Sequence, residues 1–188
     1  MTTIYSPADE DTVRKLKLGQ TVHIRGKVIT ARDEAHMHAL SAGNEAEKIF
    51  RNATVFHCGP IVTKDNEERK IIAAGPTTSA RMNKLTAEMI RRYGIRIIIG
   101  KGGMSDDVLN VMKEEGCVYL AAIGGAAVSL AECLNVNDVK WEELGMAEAV
   151  WVLDAKDMGP LIVAMDAHGN SLYKDVNSKV SENMRDHS

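Results

Sequence analysis

Ile97-Ile98-Ile99-Gly100-Lys101-Gly102-Gly103-Met104 decides the fold: three β-branched apolar residues run without a polar break into a glycine loop that carries one lysine. Ser105-Asp106-Asp107 then supply capping residues for a helix predicted to reach Glu115. A strand that is apolar along its whole length has no face for water, so it belongs to a sheet covered on both sides. The same order of strand, glycine loop and helix stands on either side of it. Upstream, Ile71-Ile72-Ala73-Ala74 leads into Gly75-Pro76-Thr77-Thr78-Ser79-Ala80-Arg81-Met82 and a helix to about Tyr93. Downstream, Val118-Tyr119-Leu120-Ala121 leads into Ile123-Gly124-Gly125-Ala126-Ala127. Apolar strands alternating with helices predict an α/β fold with a parallel or mostly parallel sheet. Sites on such sheets lie at the carboxyl ends of the strands, which puts all three glycine loops on one rim.

Outward from this core, Thr21 to Thr30 alternates Val22, Ile24 and Val28 with His23, Arg25 and Lys27, the pattern of a half-buried strand. Asp33 can charge the first turn of a helix predicted over Glu34 to Phe50. Ala149 to Asp154 and Leu161 to Asp166 are strand-like, and Asp166-Ala167-His168-Gly169-Asn170 reads as a turn before Ser171-Leu172-Tyr173. With 188 residues and 45% hydrophobic content the chain supports one sizeable core. The expectation is a single domain over residues 1–175 and a polar tail over 176–188.

Composition excludes several classes of function. The 26 acidic residues nearly balance 23 basic ones, so the overall field gives no reason to expect nucleic acid or an anionic membrane as partner. The apolar stretches fall far short of the roughly 20 residues of a spanning helix, and the N-terminus has no secretory pattern. Three widely spaced cysteines, Cys58, Cys117 and Cys133, suit a reducing compartment, so a cytoplasmic location is expected.

Chemistry must come from local clusters. In the loop at 75–81 the proline sets the entry to a turn, three hydroxyl residues follow, and the next helix begins with unpaired N–H groups. Arg81, four residues after Thr77, returns to the same side within one turn, a combination suited to a carboxylate or phosphate or to plain capping. Lys101 stands among Gly100, Gly102 and Gly103, where missing side chains let a ligand approach the backbone. The loop is not a phosphate-binding Walker loop, because the glycine five positions earlier is absent and Gly102 replaces Ser or Thr. Nor is there a G-x-G-x-x-G fingerprint, which disfavours a nucleotide. Arg32 and His36, four apart at the start of a helix, offer either a third cationic contact or a capping ion pair with Asp33. His57 and Cys58 are neighbours on a strand and point to opposite faces, so they form no catalytic dyad by themselves.

Taken together, Arg32-Asp33-x-x-His36, Gly75-Pro76-Thr77-Thr78-Ser79-x-Arg81-Met82, Gly100-Lys101-Gly102-Gly103-Met104 and Leu144-Gly145-Met146-Ala147-Glu148-Ala149-Val150-Trp151 resemble the iron–sulfur hydro-lyases of the class I fumarase and tartrate dehydratase type. The resemblance runs from about Gly19 to Tyr173 and is to the C-terminal region, which the two-subunit form carries as a separate β subunit. One departure is Met37, where a basic residue would be expected after His36. The resemblance implies an α/β fold of the swivelling β/β/α type, with a mostly parallel sheet and helices on its faces. It implies a hydro-lyase, a fumarate hydratase of class I, active only with a partner α subunit that holds a [4Fe-4S] cluster. By that resemblance Thr77 is the general base and Arg32, Arg81 and Lys101 hold the carboxylates of a small dicarboxylate. Asp33, His36, Thr78, Gly102 and Gly103 support them, and no residue here is a metal ligand. The isolated chain is left free to form a homo-oligomer. Dehydration of tartrate or a related hydroxy-diacid is the close alternative, and a non-catalytic anion-binding module is a second.

Overall fold

The computed structural model describes residues 2–65, 68–122 and 127–174. In chain order the first half comprises β1 (Thr2–Ser6), α1 (Glu10–Arg14), β2 (Thr21–Thr30), α2 (Asp33–Ser41), α3 (Asn44–Phe50), β3 (Thr54–Phe56), β4 (Ile61–Asp65) and β5 (Glu68–Ala73). The second half comprises α4 (Asn83–Tyr93), β6 (Ile97–Gly100), α5 (Asp106–Glu115), β7 (Val118–Ala122), α6 (Ala127–Glu132), β8 (Leu134–Lys140) and β9 (Val150–Met165).

Seven strands form one sheet in the order β1-β2-β3-β6-β7-β9-β8, and β9 also pairs with β2. That extra pairing partly closes the sheet on itself. Strands β1, β2, β3, β6 and β7 run parallel, whereas β9 is antiparallel to β2, β7 and β8. The sheet is therefore mixed. The expected α/β class holds, and the expected parallel order holds for the strands that lead into helices. It breaks at β9, where two predicted strands are one strand of 16 residues.

The apolar strands bury both faces, and side-chain alternation divides them between two cores. Ile97, Ile99, Val118, Leu120 and Phe56 face the closed side of the sheet, with Val22, Ile24 and Leu161. Ile98, Tyr119 and Val55 face the helices, against Met89, Ile90, Leu109 and Met112 of α4 and α5. Ile97, Ile98 and Ile99 are all fully buried, and truncating any one to alanine should cost about 2–5 kcal/mol. Arg14 and Arg96 bind the α5 end from outside: Arg14 donates to the carbonyls of Lys113, Glu114 and Ala167, and Arg96 to those of Glu115 and Gly116.

Two local expectations change. The helix predicted over Glu34 to Phe50 is two helices, broken at Gly43 with φ +59°. Ile71 to Ala73 is in β5, which pairs only with β4 in a separate antiparallel hairpin. That hairpin is an excursion between β3 and the loop at 75–79. The glycines at 124–125 and the tail at 176–188 lie outside the described residues.

Candidate active site

The parallel strands β2, β3 and β6 lie side by side and end together, delivering Arg32, His57 and Lys101 to one rim. Backbone bonds prolong the ladder past the strand ends, from Ala31 N to Phe56 O and from His57 N to Ile99 O. After the hairpin the chain returns here, and the segment at 77–79 inserts like a short extra strand. Thr77 N donates to His57 O at 2.8 Å, Ser79 N donates to Lys101 O at 3.0 Å, and Thr78 bridges Lys101 in parallel. This insertion brings together residues from three separate stretches of sequence.

Arg81 Nη2 donates to Asp33 Oδ2 at 2.9 Å and to Thr77 Oγ1 at 3.4 Å, so the α2 start and the Thr77 loop share one guanidinium. Arg32 Nε lies 3.3 Å from Glu148 Oε1, an ion pair without hydrogen-bond alignment. The other oxygen of Glu148 accepts from Glu34 N at 3.0 Å, which places a carboxylate at the α2 N-terminus. Gly59 makes room for Arg32: a Cβ there would meet Nη1 at 2.9 Å and Ala147 O at 2.7 Å. Lys101 is exposed and pairs with no carboxylate among the described residues.

The supporting residues divide by burial. Thr78 and Gly102 are exposed, and Gly103 is buried under the ring of Tyr173. His36 is buried, its Nδ1 2.7 Å from Arg32 O, so the ring holds the turn that presents Arg32. Below the rim, His57 Nδ1 lies 2.8 Å from Ser79 Oγ, which lies 3.0 Å from Tyr119 Oη. Burial pushes the His57 imidazole well below its ordinary range and lowers that of His36, so both rings are neutral. Sequence reasoning did not assign His57, Ser79, Tyr119, Glu148 or Tyr173 to the site. The available signal was the run of three hydroxyls at 77–79, of which one, Ser79, turns inward from a segment held on both edges.

Cys58 is buried and its thiol is pushed up to about 12, far from a nucleophile. Burial also raises the Cys117 thiol, and among the described residues no three His, Cys, Asp or Glu side chains gather as a metal would require. An iron–sulfur cluster does not fit the described residues. A surface groove of about 1380 Å³ lies between β4, β5, α6 and β8 and is lined by none of the site residues above. No described helix is long and apolar enough to cross a membrane.

This arrangement of a Gly-Pro-Thr-Thr loop laid between strand ends coincides with a match of residues 3–176 to the family described as Fumarase C-terminus. The chain belongs to that family. Among its relatives, a Methanocaldococcus jannaschii protein provisionally named L(+)-tartrate dehydratase subunit beta is 46% identical over 93% of this chain and 92% of its own length. The L(+)-tartrate dehydratase subunit beta of Escherichia coli is 32% identical, over 96% and 90%. A Geobacillus stearothermophilus protein provisionally named fumarate hydratase class I is 40% identical over 97% of this chain but only 35% of its own length. The Fumarase C-terminus chain therefore matches whole subunits in two relatives and about a third of a longer polypeptide in another.

Proposed function

We propose that this chain is the β subunit of a fumarate hydratase, adding water reversibly to fumarate to give (S)-malate at a site shared with an α subunit. The observation that carries this reading is the insertion of residues 77–79 between the ends of β3 and β6, which sets Thr77, Arg81 and Lys101 beside Arg32 and Asp33. Three cations around one hydroxyl suit a substrate with a carboxylate at each end. Arg32 and Lys101 fix the two carboxylates, and Arg81 does so while donating toward Thr77 Oγ1. That donation favours the negative form of the hydroxyl, the form in which Thr77 removes a proton from the carbon next to a carboxylate. The cluster implied by the resemblance is assigned to the α subunit, and no step of this chain's residues passes through it.

Exposure of Thr78, Arg81 and Lys101 supports a shared site, because a dicarboxylate held there needs another surface to exclude water. The names of the M. jannaschii and E. coli relatives support the same two-subunit assembly. They also favour a second reading, dehydration of L(+)-tartrate, since the clamp reads carboxylates and not the groups between them. Under either reading residues 1–175 act as one domain, residues 176–188 are a tail, and the complex works in the cytoplasm.

The test is anaerobic co-expression with the α subunit, following fumarate loss by its ultraviolet absorbance and L(+)-tartrate dehydration in parallel. Activity in the mixture and in neither chain alone is expected, with Thr77→Ala lowering turnover by about a hundredfold or more. Turnover of tartrate but not fumarate moves the assignment to the second reading. Near-full activity of an assembled Thr77→Ala complex overturns the role of Thr77.

A further inference from the structure

Beneath the rim, four side chains from four different elements form a polar path through otherwise apolar packing. Ser79 and His57 are fully buried, Tyr119 is fully buried, and His36 is 1% exposed. Each comes from a segment that ends in a residue of the site: His36 from the Arg32 turn, Ser79 from the Thr77 loop, Tyr119 from the strand beside Lys101, and His57 from the strand between them.

The bonds can be ordered in one direction, from Tyr119 through Ser79 to His57. Among the described residues Ser79 Oγ is the one side-chain hydrogen-bond partner of the phenol. In this order the phenol O–H donates to Ser79, and Ser79 donates its own proton to His57 Nδ1. A neutral His57 that accepts at Nδ1 carries its proton at Nε2. His36 has the opposite form: Nδ1–H donates to Arg32 O, so its Nε2 is an acceptor. Among the described residues both Nε2 atoms are buried and unpartnered, and the rings meet edge to face with centres 5.2 Å apart.

We propose that His57 and Ser79 are positioning residues, which with Tyr119 form a one-directional hydrogen-bonded strut that locks the 77–79 segment between β3 and β6 and so sets Thr77 against Lys101. The strut rests on the hydratase reading only for its effect on turnover. Its geometric basis is that the same two residues are held twice. His57 O takes the Thr77 amide while its ring takes Ser79 Oγ, and Ser79 N reaches Lys101 O while its hydroxyl reaches the ring. Two bonds from one short segment to the β3 end and one to the β6 end fix its rotation as well as its place. A misplacement of about 1 Å at a reacting group is worth roughly a hundredfold in rate, so a strut of this kind is visible in turnover.

The test uses five variants in the assembled complex. Tyr119→Phe and Ser79→Ala should each lower kcat by about tenfold with KM within about twofold, and the double variant should be no slower than the worse single one. His57→Asn, whose amide oxygen occupies the place of Nδ1, should keep kcat within about threefold. His57→Gln, which reaches the place of Nε2, should fall with Ser79→Ala. Equal losses for Asn and Gln, or losses at Ser79 and Tyr119 that multiply, overturn the strut. In the isolated wild-type chain at pH 7, nitrogen spectra should show His57 neutral with its proton on Nε2, and Tyr119→Phe should move the amide signals of Thr77 and Lys101. A proton on His57 Nδ1, or unmoved Thr77 and Lys101 signals, overturns it as well. If the wild-type complex turns over no diacid, the hydratase reading fails while the spectra still decide the strut.

Discussion

A methyl group on Gly100 would sit 2.1 Å from Ser79 Oγ, 2.8 Å from Tyr119 Oη and 3.4 Å from His57 Nδ1. Ser79 is fully buried, so its hydroxyl cannot turn into water, and Gly100→Ala must break both of its side-chain bonds or push β6 off its neighbours. Each bond is worth about 1 kcal/mol net, and overpacking a closed core adds about 1–3 kcal/mol. The expected loss is roughly 3–5 kcal/mol, which for a chain of this size lowers the melting temperature by about 6–20 °C. Urea unfolding should show the same loss as a lower midpoint at unchanged slope. Ser79→Ala removes the nearest clashing atom, so Gly100→Ala should cost at least about 1 kcal/mol less in that background than in the wild type. A Gly100→Ala protein that melts within about 2 °C of the wild type, or costs that simply add in the double variant, would refute the claim that these atoms are locked together.

Burial holds the imidazoles of His36 and His57 below their ordinary value of 6.5, so as pH falls below about 6.5 the unfolded chain binds protons that the folded chain refuses. Stability should therefore rise with pH through that window and be lost on its acid side, by up to about 1.4 kcal/mol per unit for each ring, and His57→Gln should remove one ring's share; urea midpoints that stay flat between pH 7.5 and 5 would refute this. The Cys58 thiol, buried and near 12, should resist iodoacetamide at pH 8 in the native protein, while the half-buried Cys133 is alkylated first. Peptide mapping checks the order, and early labelling of Cys58 would contradict its packing. Arg96→Met strips the α5 end of two carbonyl contacts and should cost about 1.5–3 kcal/mol in urea unfolding. It should leave the kinetics of the assembled complex unchanged.

The strand-loop-helix order was legible because Ile97 to Ile99 and Val118 to Ala121 bury both faces, a pattern that local sequence states outright. The closure of the sheet was not. Strand β9 was read as two strands because Asp154, Lys156, Asp157, Gly159 and Pro160 interrupt its apolar run. Those polar residues are tolerated because β2 pairs with the strand through the interruption, from residues more than a hundred positions away, and β8 pairs with it as far as Ala155. The rim shows the same division. Thr77, Arg81 and Lys101 announce themselves by type and spacing. Ser79 does not, since only the hydrogen bonds of residues 77 and 79 to different strands reveal which hydroxyl turns inward. Glu148 is equally silent in sequence, because its partners Arg32 and Glu34 lie on the far side of the chain's middle.

On the hydratase reading, the charges around the rim explain why a clamp of three cations can belong to a chain that works only in company. Arg32 faces Glu148 and Arg81 faces Asp33, so two of the three positive groups already hold a carboxylate of the chain's own. These contacts are half exposed or partly screened, and each stabilises the fold by no more than about 1 kcal/mol. They nonetheless compete directly with any carboxylate arriving from solution. Lys101 alone among the described residues of the clamp has no such competitor. A dicarboxylate meeting the isolated rim would find one available cation in water of high dielectric, where a single ion pair contributes little. A second surface that covers the rim and lowers the local dielectric would strengthen the contacts of Lys101 and of both arginines with an added dianion. On the hydratase reading, then, the self-paired arginines keep the free chain's rim unoccupied. Assembly is what turns the same residues into a binding site.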